Sequence, residues 1–170
     1  MDTLDGMSSH RAQSSYQVRF EWGADGARAI ADGVHAVVWV DELGVEQVPE
    51  LGVEVVAGAL RSADAVARWS LARQAELGGR FVIAVVAAGV RQSDGTLRFA
   101  VEDLLAAGAV IDAIAELGID HQSPEAAAAA SAYSGLRNAT RHLVTASVSA
   151  RELGGVQLEL TPEPEVRRLR

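Results

Sequence analysis

Three carboxylates stand where acids are able to do chemistry: Asp41, Glu102 and Asp103. Asp41 directly follows residues 34–40, VHAVVWV, a nearly continuous apolar run that reads as a buried strand. A charge there must sit at the rim of the sheet, where its oxygens can bind a hard cation such as Mg²⁺. The plainer reading is a turn acid in water. Glu102 and Asp103 fall in the first turn of a predicted apolar helix over residues 99–117. Adjacent helical residues point about 100° apart, so one acid is free to hold metal while the other braces the helix start. Here too there is a plain reading, acids complementing the helix dipole. Arg61 and Arg98 each precede a helix that follows a predicted strand, and the planar guanidinium fork suits phosphate or sulfonate oxygens; exposed surface arginine is the commoner role. If the chain is a hydrolase, a metal-activated water positioned by carboxylates is the route these residues leave open.

Much else is excluded. All 15 basic residues are Arg, which removes a Walker-type phosphate loop, a Schiff-base lysine and Ser/Lys hydrolysis. The absence of Cys removes disulfides, cysteine zinc sites and thiol nucleophiles. His10, His35, His121 and His142 lack metal-ligand spacing and read as structural or surface residues. No Gly-x-Ser-x-Gly turn and no Asp-x-Asp pair occurs. A net charge of -8 argues against nucleic acid as a partner, and no segment approaches the roughly 20 apolar residues of a membrane span. The opening residues lack a basic and apolar secretion signal, so a cytoplasmic location is expected.

The elements that must position these groups alternate along the chain. Residues 16–22 alternate apolar and polar side chains, as an edge or near-edge strand does, and residues 24–32 read as a short helix. Residues 34–40 and 81–88 read as central strands and residues 53–56 as a short one. Helices are expected over 62–77, capped by Ser62 and supported by an Asp64–Arg68 pair, over 99–117, and from Ser123-Pro124 onward with breaks near Gly135 and residues 147–149. Residues 156–160 read as a last strand. The pattern is an α/β fold with a mainly parallel or mixed sheet covered on both faces. Residues 1–15 are expected to be a disordered tail, 16–160 a single α/β domain and 161–170 a solvated C-terminal tail. Ligands of such sheets bind outside the carboxyl ends of the strands, which singles out Asp41, the Ala57-Gly58 turn and the Gly89 loop.

The segments QVRFEWGADGARAIA, HAVVWVDEL, VAGALRSADAVARW, FVIAVVAAGVRQSDGTLRFAVEDLLAAGAVIDAI and SARELGG resemble the 2-phosphosulfolactate phosphatase family, over most of residues 16–155. The most specific block runs from Ala88-Gly89 through Arg98 to Gly108. The resemblance implies a three-layer α/β/α fold and Mg²⁺-dependent hydrolysis of a small anionic, sulfonated phosphate ester. It implies metal ligation and catalysis at Asp41, Glu102 and Asp103, and substrate contacts at Gly89, Arg98 and Arg61.

The chain departs from the family pattern in places. Members carry an Arg- or Ser-containing, threonine-rich turn where this chain has Glu42-Leu43-Gly44-Val45-Glu46. Their Asn-Ser-Pro turn and Thr-Thr-Asn-Gly stretch have no counterpart between Glu46 and Val56. Members often place an Asn where this chain has Arg61-Ser62, and the acidic segment they carry after Arg151-Glu152-Leu153 is replaced. Two expectations follow. The chain is a shortened Mg²⁺-dependent phosphatase acting on a small anionic phosphoester, or it is a catalytically degraded relative keeping the fold for ligand binding or partner assembly. Homo-oligomerisation is compatible with either.

Overall fold

The structure, a computed structural model, describes residues 10–44 and 46–170. Residues 1–9 of the expected N-terminal tail and Val45 lie outside them. Four strands, β1 (Val18–Trp22), β2 (Ala36–Val40), β3 (Glu54–Gly58) and β4 (Ile83–Ala87), form one sheet in the order β1-β4-β2-β3, with every neighbouring pair parallel. The runs read as central strands are the two inner ones, and residues 16–22 supply an edge, as expected.

The alternation of a strand sends its side chains to opposite faces, and both faces are covered. Val38, Val40, Val56, Val85 and Ala87 pack with three helices, α2 (Ala63–Leu77), α3 (Val101–Glu116) and α4 (Pro124–Leu136). On the other face Val37, Trp39, Val55, Ala84 and Val86 pack with Ala27 and Ile30 of α1 (Gly23–Ile30), completing a three-layer α/β/α arrangement. α1 is held at its end by a cation: the buried Arg19 guanidinium donates to the carbonyl oxygens of Ile30 and Asp32 at 3.1 and 2.6 Å. Those are carbonyls a helix terminus leaves without partners.

Both edges of the sheet are covered. Outside β1, the Gln13 side-chain amide accepts from Phe20 N at 3.0 Å and donates to Phe20 O at 2.8 Å, as a neighbouring strand would. Residues 10–15, expected in the tail, therefore include a tie to the sheet. Outside β3, the Arg167-Arg168-Leu169-Arg170 run pairs antiparallel with the strand, Ala57 N donating to Arg167 O at 2.8 Å and Leu169 N to Val55 O at 2.8 Å. The run is a strand cover rather than a solvated tail, because β3 otherwise presents unpaired backbone groups.

Other expectations shift locally. Residues 156–160 form no strand; Leu158 and Leu160 instead pack on Leu105 and Val144, and Leu158 O accepts from Arg141. The loop after β4 contains a small antiparallel hairpin, β5 (Val90–Arg91) with β6 (Leu97–Arg98). Ser62 closes a 3-10 turn over Leu60–Ser62, its Oγ accepting from Ala59 N, and makes no side-chain cap on α2. Among the described residues Asp64 and Arg68 form no ion pair. After α4 the chain breaks as expected, continuing through α5 (Thr140–Thr145) and α6 (Val148–Glu152), where the Ser147 side chain accepts from Ala150 N.

The seam between α3 and α4 depends on Gly108, where an added Cβ would run into the Ala129 carbonyl oxygen and stand 2.7 Å from Tyr133 Cβ. Alanine there gains about 1 kcal/mol of helix propensity. Forcing a methyl against backbone costs about 1–3 kcal/mol, so the clash should prevail. Gly108→Ala is expected to lower the urea midpoint; an unchanged or raised midpoint would show that the helices separate freely.

Candidate active site

The carboxyl ends of β2 and β4 lie side by side at the centre of the sheet, and the next residues are Asp41-Glu42 and Ala88-Gly89. Asp103, in the first turn of α3, bridges them. Its Oδ1 accepts from Glu42 N and its Oδ2 from Gly89 N, both at 2.9 Å, and the residue is 2% exposed. Gly89 turns with φ +65°, and a Cβ there would stand 3.0 Å from the Arg98 carbonyl oxygen, so glycine is required for this bond. Burial pushes the Asp103 carboxyl up to about 8, helped by the charges of Asp41 and Glu102 and opposed by the two N–H bonds.

Asp41 folds the loop that leaves β2. Its Oδ1 accepts from Gly44 N at 2.9 Å and its Oδ2 from Glu46 N at 2.7 Å, the bonding of a turn acid. Glu42, which sequence reasoning passed over as a site residue, accepts from Leu60 N at 2.8 Å through Oε2. Burial pushes its carboxyl up to about 7, with Arg61 opposing and Asp41 and Glu163 adding to the rise. The available signal was its place immediately after Asp41, at the end of a central parallel strand. Glu102 is 2% exposed and makes no hydrogen bond or ion pair among the described residues.

At the carboxyl end of the sheet the charges of Asp41 and Glu102 both act on the Asp103 carboxyl, and that of Asp41 on Glu42. The structure does not assemble Asp41, Glu102 and Asp103 as a three-carboxylate ligand set: among the described residues no group of three His, Cys, Asp or Glu is arranged to hold a metal ion. Each expected substrate contact is engaged within the protein. Gly89 N bonds Asp103, Arg61 pairs with Glu163 at 2.7 Å, and Arg98 bonds Ser149 Oγ at 3.2 Å and Glu152 Oε2 at 3.1 Å. His35 is structural, its Nδ1 accepting from Val82 N and its ring stacked on Phe81. No helix is long and apolar enough to cross a membrane among the described residues.

Residues 44–161 match the family model described as 2-phosphosulpholactate phosphatase. The matched stretch holds Arg61, Gly89, Arg98, Glu102 and Asp103, and starts just after Asp41 and Glu42. A comparison with curated proteins gives no significant match.

The raised carboxyls have a consequence for stability. Asp103 and Glu42 titrate at about 8 and about 7, above their ordinary 3.8 and 4.5, so the folded chain keeps protons that the unfolded chain releases. The stabilisation is complete below about pH 4 and is lost as pH rises through 7 to 8. In chelator-containing buffer the urea midpoint should fall between mildly acidic and mildly alkaline pH. Asp103→Asn should flatten the upper part of that decline. It should also cost about 1–3 kcal/mol at low pH, because an amide N–H₂ then faces one of the backbone donors. A variant with the wild-type slope would remove Asp103 as its source.

Proposed function

The chain belongs to the 2-phosphosulpholactate phosphatase family, and from that premise we propose that it hydrolyses a small anionic, sulfonated phosphate ester at the acid cluster beyond β2 and β4. The observation that carries the reading is the junction itself: buried carboxylates gathered where parallel sheets bind ligands, with Asp103 fastening both central strand ends.

The donors suit a hard cation, being oxygen throughout. Mg²⁺ is held through one or two carboxylates while water and phosphate complete its shell, so a cage of three is not required. Glu102, buried and without a hydrogen bond or ion pair among the described residues, is the best-suited ligand, and its charge and that of Asp41 both act on Asp103. When bound, the ion would neutralise phosphate charge and acidify a water. The chain's own part is positioning. Asp103 fixes the two strand ends, Asp41 holds the backbone N–H groups of Gly44 and Glu46, and Glu42 anchors the turn that carries Arg61. Arg61 supplies positive charge near Glu42, and Arg98 secures the hairpin against α6.

Purified protein should release phosphate from phosphosulfolactate, or from an aryl phosphate, when Mg²⁺ is present, and stop on chelation. Glu102→Gln and Asp41→Asn should each lower turnover on the order of 10–100-fold.

A second reading is favoured by the ion pairs. Arg61 and Arg98 are bound to Glu163 and Glu152, and the oxygens of Asp41 and Asp103 accept backbone bonds, as in a relative that keeps the fold for ligand binding or partner assembly without turnover. It requires that wild-type protein release no phosphate with Mg²⁺ while remaining folded. Turnover that disappears in Glu102→Gln decides against it.

A further inference from the structure

On the α1 face of the sheet, the ends of β2 and β4 border a second feature that the acid cluster does not use. A cavity of about 440 Å³ is lined by Trp39, Ala88, Arg28, Arg91, Glu46 and Leu97, among others. Its size is within the range of small-ligand pockets. Trp39 is 4% exposed, and its Nε1 donor has no hydrogen-bond partner among the described residues. Leaving such a donor dry and unpaired costs about 1–3 kcal/mol, so an orphan of this kind calls for an acceptor that the described residues do not provide.

The charges of the lining indicate what that acceptor is. Two arginines, Arg28 and Arg91, and one acid, Glu46, are among the lining residues. Glu46 is partly engaged, its Oε1 accepting from Arg91 N at 2.6 Å. Among the described residues Arg28 pairs with Asp25, where both side chains are more than half exposed, a contact of little energetic weight. The Arg91 side chain donates to Gly95 O at 3.3 Å and retains further N–H groups. Leu97 and Ala88 supply apolar wall.

We propose that this cavity is an oxyanion site, taking a small sulfonate, phosphate or carboxylate whose oxygens accept from Trp39 Nε1 and pair with Arg91 and Arg28. The site is separate from the acid cluster and does not depend on hydrolysis. Asp41 links the two, because its bond to Glu46 N holds the loop that forms one wall of the cavity.

The full chain, labelled with ¹⁵N, provides the test through its indole N–H signals, that of Trp39 being assigned with Trp39→Phe. Methanesulfonate, inorganic phosphate and acetate are titrated separately. At least one should shift the Trp39 indole signal saturably, leaving those of Trp22 and Trp69 in place, and the tightest of the three identifies the anion class. Arg91→Gln and Arg28→Gln should each weaken that binding by about tenfold, the value of one charge-assisted hydrogen bond. These two variants keep the test intact should Trp39→Phe fold poorly. Glu102→Gln, aimed at the hydrolytic reading, should leave the shift unchanged, so the two ideas fail separately. An indole signal unmoved by all three anions overturns the proposal, as does a shift unaffected by both arginine changes.

Discussion

The buried carboxylate of Asp103 holds together parts of the chain that the sheet leaves separate. β2 and β4 are hydrogen-bonded along their lengths, but past Val40 and Ala87 the ladder ends and their continuations turn to different structures. Asp103 takes one N–H from each continuation, which fixes the loop after β2 and the hairpin after β4 against the start of α3. A buried donor, Gly89 N, and a part-buried one, Glu42 N, depend on that side chain, so its loss would leave both without it. Seating α3 against α4 through Gly108, and against the sheet through residues such as Ala106, Val110 and Ile114, keeps the carboxylate at that depth. The same burial that makes Asp103 a good staple makes its charge costly, and this couples loop geometry to protonation.

Cations are used here mainly as fasteners. Every basic residue is an arginine, and several of the forks grip the chain itself: Arg19 holds the end of α1, Arg61 holds Glu163, and Arg98 holds α6 through Ser149 and Glu152. Glu163 and the short helix α6 are tied in this way to the turn after β3 and the hairpin after β4. The acids at the strand ends then have Arg61 as a nearby cation, its charge acting on Glu42. In a chain of net charge -8, an anionic ligand approaches such a rim against the local field unless a bound cation or a separate basic pocket receives it.

The sheet was legible because burial on two faces leaves a strong mark in sequence. VHAVVWV and FVIAVVAA have few polar residues, and they became the inner strands. The acids at the strand end and helix start were legible by position, and the charges of Asp41 and Glu102 act on Asp103. Their partners were not. Nothing in residue type shows that the oxygens of Asp41 and Asp103 would be taken by backbone N–H groups, since those bonds come from loop conformation. The misread C-terminus has a related cause. Arg-Arg-Leu-Arg looks solvated in isolation, and only the unpaired edge of β3, a tertiary fact, makes it a strand partner. Residues 156–160 erred the other way: their alternating apolar groups serve a small cluster with Leu105 and Val144 instead of a ladder.

The end of β2 concentrates these effects within four residues. Val40 points into the cluster under α3, Trp39 into the cluster under α1, and Asp41-Glu42 pass beyond the last pair of the ladder into turns. A strand has a side-chain period of two, so a slip of one residue would move the indole to the α3 face and bury a carboxylate in the ladder. Register is therefore a functional quantity at this point. It is held by β3 on one side and β4 on the other, and by Asp103 just past the end. An apolar strand between two neighbours can present an indole N–H to one face and acids to the rim because the ladder and the Asp103 bond together permit one alignment.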